Sequence, residues 1–92
     1  MKIVLYSKPG CHLCEGLQEK LEQINSLPFE LETRDITTRD DWFQAYQYEI
    51  PVLYLLKDES LNSSSSLLPR PSPRATVQQL EKMLQKYMSL DR

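Results

Sequence analysis

The residues of this 92-residue chain best suited to chemistry are its two cysteines, Cys11 and Cys14, separated by His12 and Leu13 and preceded by Pro9-Gly10. A disulfide across so short a separation closes a loop too small to restrict the unfolded chain much, which argues against a structural staple. A closed zinc site takes about four ligands. Cys11, Cys14 and the single histidine, His12, supply three, and a carboxylate such as Glu15 or a second chain would have to complete the set. No metal is therefore expected. Inert buried thiols usually sit within an apolar run and not at a Pro-Gly turn. The chemistry that remains is redox: a dithiol that opens and closes.

That chemistry depends on the elements that hold the pair. Ile3-Val4-Leu5-Tyr6 is a continuous β-rich apolar run, as expected of a strand covered on both faces. Pro9-Gly10 ends it. Leu13, Leu17, Leu21 and Ile24 then recur at helical spacing, with Glu15, Glu19, Lys20 and Glu22 on the other faces. This predicts a helix from about Cys11 to Asn25, stopped by Pro28. Phe29 to Arg34 alternates apolar and polar, as a half-exposed edge strand would. The three pieces form a βαβ unit with parallel strands.

Thr38 followed by Asp41 has the pattern of a helix N-cap with an acid in the first turn, and Trp42, Phe43 and Tyr46 give that short helix an apolar, core-filling face. Val52-Leu53-Tyr54-Leu55-Leu56 is a second candidate for a fully buried strand. Residues 58–66 are polar and Ser-rich, and are expected to form a flexible loop without catalytic consequence. Leu67-Leu68 suits a very short edge strand, and Pro69 to Arg74 an extended connector. Thr76 and Gln79 have capping-box spacing, ahead of a last helix with Val77, Leu80, Leu84 and Tyr87 on its inner stripe. The expected order is β-α-β-α-β-β-α within one domain over residues 1–92.

On this frame Cys11 falls where a buried strand passes into a helix. Unpaired N–H groups and the helix dipole favour an anion there, which lowers a thiol's pKa from its free value of ~8.5. Cys14 lies one turn further in, within reach of a mixed disulfide formed at Cys11. Position thus assigns Cys11 as nucleophile and Cys14 as resolving thiol. His12, when protonated, would lower the Cys11 pKa further if its ring turned that way.

Composition bounds the remaining possibilities. The apolar fraction of 40% supports a core, and the net charge is −2. Residues 1–59 hold 6 Lys/Arg against 11 Asp/Glu, and residues 60–92 hold 5 against 2. That balance disfavours a nucleic-acid partner. No apolar run approaches the ~18–20 residues of a membrane span, so no membrane partner is expected and the expected compartment is the cytoplasm. The expected state is a monomer.

Tyr6-Ser7-Lys8-Pro9-Gly10-Cys11-His12-Leu13-Cys14 resembles the active-site segment of glutaredoxins, and Tyr46 to Leu53 resembles the segment carrying the cis-proline of thioredoxin-fold proteins. The resemblance covers roughly residues 1–56 and, more loosely, the last helix. It implies an α/β, thioredoxin-like fold: a four-stranded mixed sheet in order 2-1-3-4 with three flanking helices. It also implies thiol–disulfide oxidoreductase activity on protein disulfides or glutathione mixed disulfides. Electrons would come from glutathione as co-substrate or from a thioredoxin-type reductase, with no resident cofactor. Carried over, Pro51 is cis beside the cysteines, Ile50 offers its backbone to substrate, and Lys8 meets a carboxylate of glutathione. Arg70 and Arg74 are candidates for the same groove.

Two features depart from glutaredoxins proper. His12-Leu13 stands where Pro-Tyr is usual, and the Gly-Gly-x-Asp turn is missing, since Gly10 and Gly16 are the only glycines. The closer resemblance is to divergent glutaredoxin-like small proteins with a Cys-x-Leu-Cys motif. A different class of reading makes the chain a non-enzymatic binding module, for a protein or an iron–sulfur cluster, with the thiols as ligands or sensors.

Overall fold

The computed structural model describes residues 1–56 and 65–89. Strand β1 (Lys2–Ser7) leads into helix α1 (His12–Glu22), then β2 (Glu30–Asp35), a 3-10 turn (Ile36–Thr38), helix α2 (Asp40–Tyr46), β3 (Val52–Leu56), β4 (Ser65–Leu67) and helix α3 (Val77–Ser89). The sheet order is β2-β1-β3-β4. β1 is parallel to β2 and antiparallel to β3, and β3 is antiparallel to β4. This is the thioredoxin-like architecture expected above.

The alternation of a strand divides the core in two. Ile3 and Leu5 of β1 and Leu53 and Leu55 of β3 face α1 and α3, where Leu17, Leu21, Leu80 and Leu84 meet them. Val4, Tyr6 and Val52 face the other way, onto Ile36 and the α2 residues Trp42, Phe43 and Tyr46. The two-sided burial of β1 explains its unbroken apolar run.

Several boundaries differ from expectation. α1 stops at Glu22 and not Asn25, because the chain tightens: the Gln23 and Ile24 N–H groups bond three residues back, to Lys20 and Leu21 carbonyls. Leu13 is not on the buried stripe. It is 54% exposed in the first turn of α1, while Leu17, Leu21 and Ile24 stay buried. Thr38 does not cap α2. Asp35 takes the capping role for the 3-10 turn, accepting from the Thr37 N–H at 2.9 Å, and Thr38 Oγ1 donates back to the Asp35 carbonyl. α2 then starts from Arg39, whose side chain makes no capping bond and instead pairs with Asp41.

β3 is not wholly buried either. Tyr54 and Leu56 are half-exposed because the seven-residue α2 is too short to cover that face of the sheet. β4 begins earlier than Leu67-Leu68: Ser65 and Ser66 pair with Leu56 and Leu55, so the end of the expected loop is strand. Residues 58–64 of that loop lie outside the described residues. The capping box is present in full, with Gln79 N–H donating to Thr76 Oγ1 and Thr76 N–H to Gln79 Oε1.

Candidate active site

Lys8-Pro9-Gly10-Cys11 forms the turn that aims Cys11. Cys11 N–H donates to the Lys8 carbonyl at 3.2 Å, with Pro9 and Gly10 in the middle and Gly10 at φ +83°. Pro followed by a left-handed residue is the pattern of a type II turn, and only glycine adopts that φ without steric cost. The turn ends β1 and sets Cys11 as N-cap of α1, with extended backbone at φ −86° and ψ 100°. Its carbonyl accepts from Glu15 N–H, and its Sγ accepts from Cys14 N–H at 3.2 Å.

The cap of the helix is therefore a sulfur. A neutral thiol is a weak acceptor, whereas a thiolate makes a charge-assisted bond with the same N–H and benefits from the helix dipole. In the structure Cys11 and Cys14 are joined as a disulfide, their Cα atoms 5.3 Å apart. The two sulfurs differ in access: Cys14 is 2% exposed, and Cys11 sits half-buried above it.

The Ile50–Pro51 peptide bond is cis and Pro51 is buried. Pro51 closes one end of a groove of about 130 Å³ running along the first turns of α1. His12, Leu13, Gly16, Leu17 and Lys20 form one wall, and the connector residues Arg70 to Pro73 form the other. Nothing lies within 4 Å of where a Gly16 side chain would begin, which keeps that wall open. Lys20 Nζ ties the walls together by donating to the Pro73 carbonyl at 3.0 Å.

The sequence candidates fall unevenly around this groove. Lys8 is exposed in the turn, its carbonyl engaged by Cys11. His12 points to solvent with its side chain 94% exposed, and its Nδ1 lies 3.6 Å from Glu15 Oε1, so Glu15 is its ion-pair partner. Ile50 N–H already donates to the Tyr46 carbonyl at 3.1 Å. Arg74 is exposed and absent from the groove lining, its backbone N–H held by Ser72 Oγ. Arg70 takes the place beside Pro51: its Nη2 donates to the Glu49 carbonyl and reaches the Ile50 carbonyl at 3.4 Å.

Gly16 and Lys20 were missed by the sequence reading. A glycine inside a helix was the available signal for the first, since it costs ~1 kcal/mol against alanine and calls for a reason. No local signal distinguishes Lys20 from any helix-surface lysine.

The chain belongs to the glutaredoxin-like domain family (DUF836), whose model matches residues 2–85. Among solved structures it is similar to one described as "Structure of a malarial protein", with 13% sequence identity, a TM-score of 0.58, and 95% of this chain and 96% of that one covered. That likeness is one of fold. No curated protein matches the chain.

Proposed function

We propose that this protein is a thiol–disulfide oxidoreductase that cycles Cys11 and Cys14 between dithiol and disulfide to reduce or exchange protein or glutathione mixed disulfides. The observation that carries this is the Cys11 sulfur at the N-cap of α1, accepting the Cys14 N–H, with the Cys14 side chain buried beneath it. The N-cap position favours the Cys11 thiolate, and the difference in exposure makes Cys11 the sulfur a substrate meets first.

In the reductive direction the Cys11 thiolate attacks one sulfur of a substrate disulfide. The substrate S–S bond breaks, a Cys11 mixed disulfide forms, and one substrate thiolate leaves. Cys14, deprotonated, then attacks Cys11 Sγ and expels the second thiolate. Two electrons pass from the protein pair to the substrate, and an external thiol such as glutathione, or a thioredoxin-type reductase, returns them. Lys8, Ile50 and Pro51 belong to the binding surface in this reading, with Arg74 outside the groove but on the same connector. The reading also takes the protein to act as a cytoplasmic monomer.

The test is a redox titration in glutathione buffers, with free thiols alkylated and the intact mass measured. Reversible loss of both thiols together, with a midpoint between ~−270 and ~−120 mV, is expected. Thiols that stay free across the range would remove the enzyme reading and favour a binding module. In the same assay Cys14→Ser accumulates a mixed disulfide on Cys11. Failure to trap one with any disulfide would remove the resolving role.

A further inference from the structure

We infer that Arg70 decides which disulfides this site accepts: its guanidinium covers the main-chain carbonyls beside Pro51 and gives them up to a substrate that carries a carboxylate. The inference rests on the redox reading above.

Both polar backbone groups of Ile50 are engaged within the chain. The N–H donates to Tyr46, and the carbonyl, with that of Glu49, faces Arg70 Nη2. A substrate backbone approaching the cysteines therefore meets a guanidinium already seated on the acceptors at this edge. Arg70 is exposed, and its two described bonds go to neutral oxygens. A carboxylate offers the same guanidinium a bidentate pair in which both partners are charged, a match to its planar fork that two separate neutral carbonyls do not provide.

The charge around the groove points the same way. Thirteen Asp and Glu against eleven Lys and Arg give the chain a net charge of −2, yet among the described residues no acid lines the groove, where Arg70, Lys20 and His12 are the ionisable groups. A disulfide bearing an anionic group is drawn in and pairs with Arg70, which frees the Ile50 carbonyl for an N–H where the substrate has one. A neutral or cationic disulfide must displace Arg70 without compensation. Arg70 is thus a specificity-determining residue: it touches no reacting sulfur, and it selects by pairing with the substrate's carboxylate and releasing the backbone beside Pro51.

The experiment uses the reduced full chain and three small disulfides of similar size, namely dithiodipropionate (dianionic), hydroxyethyl disulfide (neutral) and cystamine (dicationic). Dithiothreitol serves as external dithiol to reduce the protein again. Each rate is divided by the rate of the same disulfide with free dithiothreitol, which removes intrinsic reactivity. The wild type is expected to favour the dianion over the dication by ~10-fold or more, the scale of one well-placed charge pair. Arg70→Ala should bring that ratio below ~3-fold, mainly through a higher KM for the dianion, while turnover of the neutral disulfide stays level or rises. Arg70→Lys should keep part of the preference, because it retains the charge and loses the fork. Lys82→Ala, which removes one exposed charge from α3, should leave the ratio unchanged.

A ratio that survives Arg70→Ala, with all three disulfides still turned over, would overturn this inference and leave the redox reading standing. No exchange with any of them, in wild type and variants alike, would overturn the redox reading and the inference with it.

Discussion

Helix α1 begins at the groove and α3 follows the connector that forms its other wall, and their N-caps are opposites. At α3, Thr76 and Gln79 satisfy each other's backbone N–H groups reciprocally, with neutral oxygen acceptors and nothing left over. At α1 the capping acceptor is the Cys11 sulfur, a poor partner while neutral and a good one as a thiolate. One cap is spent on stability. The other, in the redox function proposed above, places the attacking sulfur where the helix terminus favours an anion. The aromatic face of the sheet shows the same economy away from the groove. There Tyr6 packs against Trp42 and Tyr46, the Arg34 guanidinium lies 5.6 Å from the Tyr6 ring and 5.5 Å from that of Trp42, and hydrogen bonding to Tyr54 raises the pKa of Tyr46. Those groups are mutually satisfied.

The contrast is broken most sharply by Cys11→Ser. Serine is a better N-cap than a thiol, so against the reduced wild type the variant should unfold at an equal or higher denaturant midpoint, while disulfide exchange falls by more than ~1000-fold because the accessible sulfur is gone and the remaining one, on Cys14, is buried. A variant that lost stability as well would mean that the cap is not what the sulfur provides. Gly10→Ala comes next. The added methyl meets nothing within 4 Å, so its cost is that of holding alanine at positive φ, ~1–2 kcal/mol by urea unfolding, and a reduced exchange rate should follow from a re-aimed Cys11. A loss well outside that range would point to a rearranged turn.

At α3 the expectation is reversed. Thr76→Ala should cost about 1 kcal/mol and leave the redox midpoint where it was. A shifted midpoint would show that the two helix starts are coupled through the connector. The smallest effect is expected on the aromatic face. Hydrogen bonds from Arg34, then Lys2, hold the Glu32 carboxyl below its usual range. Its folded pKa is thus depressed, and its stabilising contribution is present above about 4.5, the ordinary value, and disappears as the pH falls through the lower folded one. The difference in urea midpoint between wild type and Glu32→Gln should be small at neutral pH, the pair being partly exposed, and should close as the pH falls through the lowered folded value. A difference that persisted in acid would assign the effect to packing and not to charge.

Legibility in the sequence followed physical range. β1, β3 and the inner stripe of α3 announce themselves because burial imposes a periodicity on consecutive residues. The turn at Lys8 to Cys11 is equally local: Pro and Gly fix their own dihedrals, so the placement of Cys11 at a helix start needed no knowledge of the rest of the chain. The exposure of Leu13 was not legible, because helical spacing alone does not show where along the helix the sheet beneath it ends. Thr38 misled for a related reason. Asp35, three residues earlier, competed for the same local hydrogen bonds and captured them in a 3-10 turn.

The amino-acid order by itself determined the pair of thiols, the turn that exposes one of them, the helix that follows and the alternation of elements, all of which depend on neighbours a few residues apart. Only the tertiary structure decided that Arg70 and not Arg74 meets the backbone beside Pro51, that Lys20 reaches Pro73, and that Cys14 lies buried while Leu13 does not. Those outcomes join residues tens of positions apart, from Lys20 to Pro73 and from Ile50 to Arg70. Side-chain type fixes what such groups can bond to, but which of two similar groups arrives is set by where packing leaves the connector.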